Sequence, residues 1–163
     1  MKNALNRLSA PGPTGEEGVA AVEFAIVVIV LLLIVAGIVE FGRVFWYYDA
    51  LTKATRDGAR YMSTANVATI DSTGVATATT LVVNAANAAR VSPVLGSGNV
   101  AVTCLDASFG VITCQSNTAP ANVRVAIINY SVTLGGLLPL AYGTGQASSA
   151  ATLTPRTTMR YMN

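Results

Sequence analysis

The chain has 163 residues, ten of them Lys or Arg, eight Asp or Glu, and none histidine. Charged residues make up 11% and hydrophobic residues 52%, against about 25% charged in an average soluble protein; mean hydropathy is +0.52. Without histidine there is no Ser-His-Asp triad, Cys-His pair or histidine-bearing metal site, and two cysteines cannot build a four-thiolate centre. A net charge of +2 gives no large basic surface for nucleic acid. No catalytic residue, metal, cofactor, nucleic acid or small-molecule substrate is expected, and the high hydropathy points to a membrane.

Twelve of the eighteen charges lie in residues 1–60. Residues 1–18 form a short leader with Lys2, Arg7 and two prolines. Residues 24–39, FAIVVIVLLLIVAGIV, are sixteen apolar residues in a row, and residues 19–39 carry one charge, Glu23. A helix of that length spans about 30 Å, the thickness of a bilayer's hydrocarbon core. A secretory signal peptide is the competing reading, but its apolar stretch is shorter, about 7–15 residues, and a small-residue cleavage site follows it. Residues 19–39 are therefore expected to span the membrane.

Phe41, Phe45, Trp46, Tyr47 and Tyr48 cluster just past the run, where aromatic rings sit at headgroup level. Glu40 and Arg43 are three apart and can pair on one helix face. Beyond them Val44, Tyr47, Leu51, Ala54, Gly58 and Tyr61 step by three or four along one apolar face. One helix is expected from about residue 16 to about residue 63, roughly 70 Å long. Its second half, residues 40–63, is an amphipathic extension that the rest of the chain must cover. Arg56, Asp57 and Arg60 read as a solvated or domain-packing face.

Glu23 is the most informative single residue. A carboxylate at mid-bilayer costs about 2.5–3.5 kcal/mol, so it either snorkels to the headgroups or meets a partner. Gly18 lies five positions before it, with Val19, Ala20, Ala21 and Val22 between. Gly18, four residues, Glu23 and Phe24 opening an apolar helix resemble the processing site of type IV prepilins. In that family a membrane aspartyl peptidase cuts after the glycine. The cut would free an α-amino group on Val19, at i,i+4 from Glu23. In an assembly, that amine can instead meet a neighbour's carboxylate and fix register between subunits, because an unmatched charge is costly in low dielectric.

Glu40, Phe41, Gly42 and Arg43, then Arg56, Asp57, Gly58, Ala59 and Arg60, narrow the resemblance to the TadE/TadG pseudopilins of the tight-adherence (Tad, or Flp) pilus system. The likeness covers residues 15–62; the mid-helix proline of many relatives is absent. The major pilins of that system are much shorter, so the resemblance implies a minor pilin or pseudopilin required for assembly of an adhesive pilus. The implied partners are the membrane, a prepilin peptidase, other pilin subunits and Tad assembly proteins. The alternative is a permanently anchored binding or adhesion module that is neither processed nor assembled.

Residues 64–163 read as an α+β domain. VATATTLVVNAANAARV, residues 75–91, is expected as a helix with Leu81, Ala85 and Ala88 on one side, ended by Pro93 and Gly96-Ser97-Gly98. NVAVTC and VITCQS flank LDASFG as a hairpin, which sets Cys104 and Cys114 on opposite arms and suggests a disulfide. Residues 121–134 are expected as one central strand, apolar on both faces. Residues 134–143 read as a turn or loop. Residues 148–162 form a last strand that Pro155 either confines to an edge or breaks. Gly143-Thr144-Gly145 is an incomplete nucleotide motif, and Asn129-Tyr130-Ser131 is a sequon expected mid-strand. The fold class is a long N-terminal helix continuing as a stalk, packed on a small antiparallel-sheet domain.

Taken alone the basic residues favour the opposite orientation, since Lys2 and Arg7 precede the span and Arg43, Lys53, Arg56 and Arg60 follow it, but two expectations override them. The leader that the resemblance implies stays cytoplasmic, and a disulfide needs an oxidising side. Together they place the domain outside a bacterial inner membrane crossed once.

Overall fold

The computed structural model describes residues 15–135 and 150–162. Helix α1, Gly15–Ser63, is unbroken. Between residues 18 and 39 its side chains are exposed or nearly so, in keeping with a helix that lacks proline and any core to pack against. From Glu40 onward one face enters the domain: Tyr47, Leu51, Ala54, Gly58, Ala59 and Met62 are buried. The three-and-four spacing read from the sequence marks this face.

A single-turn 3₁₀ segment, Val67–Thr69, and a π-turn, Ile70–Gly74, reverse the chain into α2, Val75–Ala88. Asn66 caps the first turn through its side-chain oxygen, 2.9 Å from the Ala68 amide. Helix α2 lies against α1 on Ala78, Val82 and Ala86; of the three residues expected on one side, Ala85 is half-buried against the core and Leu81 and Ala88 are exposed. The reason is steric. Two helices crossing at a glycine approach too closely for leucine, so the small and β-branched residues turn inward and Leu81 is left 40% exposed.

Four antiparallel strands follow in the order β2-β1-β3-β6: β1 is Val100–Leu105, β2 Val111–Ile112, β3 Asn122–Ile127 and β6 Arg156–Arg160. A separate pair joins β4, Ser131–Thr133, to β5, Ala150–Thr152. Both helices cover one face of the main sheet, α1 against β3 and β6, α2 against β1. The fold is α+β, as the sequence indicates.

The expected strand 121–134 is two strands. Asn129 takes a left-handed φ of 51°, a region that asparagine tolerates. Asn99 grips the break: its side-chain amide donates to the carbonyls of Ile128 and Asn129. Asn129 of the sequon therefore lies in an exposed bend between two strands, with Tyr130 buried and Ser131 opening β4. Strand β3 is central, but only Val123, Val125 and Ile127 are fully buried; its other face is partly open. Pro155 likewise breaks the last strand into β5 and β6, its carbonyl accepting from the Ile127 amide at 2.9 Å. The loop expected from residue 134 lies mostly outside the described residues, as do Gly143-Thr144-Gly145 and most of the leader.

The expected hairpin is present, with Cys104 opposite Ile112 and a Cys104–Cys114 disulfide. Asp106 organises its loop by accepting from the Ser108 and Gly110 amides. The chain end is stapled to the top of α1: the Tyr161 hydroxyl donates to Ala65 O at 2.6 Å, and the Met162 amide to Ser63 O at 2.8 Å.

Candidate functional site

The base of α1 presents Gly18, Val19, Glu23 and Phe24 on a bare helix. A Cβ added to Gly18 would meet nothing within 4 Å, and Val19 and Phe24 are about 70% exposed. Glu23 is exposed too, with no ion pair among the described residues. Val19, Val22 and Ile26 adjoin it on the helix surface and are apolar. The helix from residue 18 is long and apolar enough to cross a membrane, with mean hydropathy 3.2 in its most apolar window.

One helical stretch higher the chain changes character. Glu40 is 6% exposed, the first buried residue of α1. Arg43 pairs with it, as the spacing suggests. The sequence does not reveal what the pair holds. Arg43 Nη2 donates to Thr133 O at 2.7 Å, and the Gly135 amide donates to Glu40 Oε1 at 3.1 Å. The end of β4 is thus clasped to the point where α1 leaves its apolar half. Glu40 Oε2 is buried and has no hydrogen-bond partner among the described residues. The Arg43 guanidinium also lies 5.7 Å from the Tyr47 ring, and its pKa is raised chiefly by the hydrogen bond to Glu40.

The aromatic cluster divides by face. Phe41, Phe45, Trp46 and Tyr48 are exposed, and Phe41 stacks on Phe45 with ring centroids 6.5 Å apart. Tyr47 points the other way and packs in the domain core at 8% exposure. Trp46 also reaches α2 through a long hydrogen bond, 3.4 Å, from its indole nitrogen to Ala89 O.

The stretch Arg56-Asp57-Gly58-Ala59-Arg60 is a packing element. Gly58 and Ala59 are buried against α2 and the sheet, and the three charged residues face solvent. Sequence reasoning places these residues on a domain-packing or solvated face, and the helix does both. The three-and-four spacing sets Gly58 on the covered face but does not reveal that α2 is what meets it. The signal was a glycine inside a helix, which costs about 1 kcal/mol against alanine and so calls for a packing reason.

Residues 18–60 match the family described as TadE-like protein. No curated protein and no solved structure matches the chain. The matched segment runs from the bare base of α1 to the Gly58 contact, and leaves out the disulfide hairpin and all the strands.

Proposed function

From a TadE-like segment spanning residues 18–60, we propose that the chain is a minor pilin or pseudopilin that takes part in assembling a Tad (Flp) pilus, a surface-attachment fibre. The TadE-like family is a pilus-associated, structural kind of protein, so the reading is one of assembly and not of catalysis. Residues 19–39 anchor the chain in the inner membrane, and residues 64–163 face outward. A prepilin peptidase removes the leader after Gly18, which frees the Val19 amine.

One observation carries the reading: Gly18, Glu23 and Phe24 keep the prepilin spacing at the foot of a helix whose next fifteen residues are apolar and uncovered. Side chains in that state require lipid or other helices around them. A carboxylate among them costs about 2.5–3.5 kcal/mol at mid-bilayer, and a partner amine offsets it. Glu23 and the Val19 amine of an adjacent subunit supply that pair. Residues 40–63 then hold the domain at a fixed height above the bundle, with Phe41, Phe45, Trp46 and Tyr48 at its interface.

The intact mass of the chain extracted from membranes, with and without the peptidase, tests processing. The expected result is a chain beginning at Val19 only when the peptidase is present. A chain that starts at Met1 in both samples overturns processing and leaves the anchored module. Pilus counts in a Glu23→Ala strain then test register: filaments at the parental level would remove that role for Glu23.

A further inference from the structure

The outer face of the main sheet carries charge that no other side chain of the domain balances. Side chains alternate along β3 and β6, so Val123, Val125, Thr157 and Met159 face the helices while Arg124, Arg156, Thr158 and Arg160 face outward. Register sets Arg124 opposite Thr158. Arg156 and Arg160 flank Thr158 at two residues on either side, about 7 Å along the strand. Each is therefore a diagonal neighbour of Arg124, at about 7–8 Å. By register the three arginine positions form a flat triangle on this face, Arg156 and Arg160 about 13–14 Å apart, with Thr103, Thr158 and Asn122 beside them.

Nothing anionic meets them. Among the described residues the ion pairs are Arg43–Glu40 and Lys53–Asp49, and neither involves this face. Arg124 Nε donates to the neutral Thr158 hydroxyl at 3.2 Å. Beyond residue 60 the acidic side chains are Asp71 and Asp106. Asp71 accepts from Ser116, and Asp106 from Ser108 and Gly110 within its own loop. Residues 136–149 contain no acid. Like charges at these diagonal separations repel, and an anion bridging them offsets that repulsion.

The position of the triangle limits what can fill it. Thr157 is hydrogen-bonded to Thr55, and Met162 to Ser63. Those levels of α1 are about 24 Å and 36 Å above Val39 at 1.5 Å per residue. With residues 19–39 in a bilayer, the face stands well beyond a Debye length, about 8 Å, from the surrounding headgroups. Among the described residues it carries no aromatic ring on which bases could stack, as single-stranded nucleic acid sites do. Its neutral groups, the Thr103 and Thr158 hydroxyls and the Asn122 amide, hydrogen-bond within the domain but keep acceptor lone pairs for sugar hydroxyls.

We propose that this face binds an anionic polysaccharide, with sulfate, phosphate or carboxylate groups bridging Arg124, Arg156 and Arg160. Arginine suits the task because its planar fork engages such oxyanions through two parallel hydrogen bonds. The inference requires neither leader cleavage nor entry into a filament.

The test uses the full chain in nonionic detergent, with immobilised dextran sulfate and polygalacturonate as probes. Neutral dextran, poly(dT) and phosphatidylglycerol vesicles are the comparison arms. Binding is expected to at least one charged glycan and not to neutral dextran, and to weaken as salt rises from about 50 to about 200 mM. The R124Q/R156Q/R160Q variant should lose about tenfold or more in affinity while melting no lower than the parent. R56Q/R60Q, which removes two exposed arginines of α1, should retain binding and so controls for net charge. Tighter binding to poly(dT) or to the vesicles than to either glycan overturns the proposal. So does glycan binding that survives the triple substitution or falls equally in R56Q/R60Q.

Discussion

Gly58 sits where α1 packs directly on α2. A Cβ there would lie 2.5 Å from Val82 Cγ2, 3.4 Å from Ala78 O and 3.5 Å from Val125 Cγ1. Alanine gains about 1 kcal/mol in helix propensity, but overpacking a core costs about 1–3 kcal/mol. Valine is stiff at χ1 and held on both sides, so the clash prevails. Gly58→Ala is expected to lower stability by about 1 kcal/mol, read by urea or thermal unfolding in detergent. Adding Val82→Ala removes the opposing methyl, and the pair should cost less than the sum of the two singles. A melting temperature raised by Gly58→Ala alone would contradict this packing. Glu40 poses a different problem, because its carboxylate is buried and accepts from both Arg43 and Gly135. Glu40→Ala leaves the Gly135 amide without its partner, a loss of about 1–3 kcal/mol. Amide exchange over residues 132–135 should quicken with it, while Glu40→Gln, which keeps an acceptor oxygen, should change exchange less. Unchanged exchange in Glu40→Ala would mean the clasp does not hold β4. The Glu40–Arg43 pairing is legible from a spacing of three, whereas their grip on residues 133 and 135 joins parts of the chain that no local pattern connects.

Elements set by one local signal are legible in the sequence; those set by distant contacts are not. Helix α1 is written as an unbroken apolar run followed by a three-and-four rhythm, and its bounds follow. The hairpin is written as two short strands around a glycine-bearing loop. The split at Asn129 depends on Asn99, thirty residues earlier, so a run of apolar residues conceals it. The buried side of α2 depends on the glycine opposite. The disulfide closes a separation of ten residues, worth about 2.5–3 kcal/mol in the chain-entropy account. Strand β2 has only two paired residues, so reduction should lower the melting temperature and speed amide exchange at Val111–Cys114. A melting curve unmoved by reductant would show that pairing alone holds β2. Tyr130 ties β4 to the α2–β1 connection through a 2.6 Å bond to Pro93 O, and burial raises its pKa from 10.0 to about 12. The neutral phenol is thus favoured in the folded chain. Its contribution is complete below pH 10 and is lost as pH rises through about 12. Melting temperature should fall across that window, and less steeply in Tyr130→Phe. Parallel alkaline limbs for the two proteins would assign the fall to another group.

At the scale of the whole molecule, the low average charge conceals two bodies with opposite needs. From residue 18 to residue 39 the helix contributes no residue to the core, and Glu40 is the first side chain to be buried. The part of α1 beyond it is held by tertiary contacts, with Leu51, Ala54 and Met62 fully or almost fully buried. Such contacts, and not continuity with the apolar half, keep a helix of this length folded. A fragment comprising residues 36–163 should therefore be monomeric without detergent. It should melt cooperatively within a few degrees of the full chain in detergent, because an element outside the cooperative unit adds little to its stability. It should also retain the Cys104–Cys114 disulfide and the slow exchange of β1 and β3. A fragment that melts far below the full chain would show that the apolar half nucleates α1 or shields Glu40, and that the domain depends on its anchor for stability as well as position.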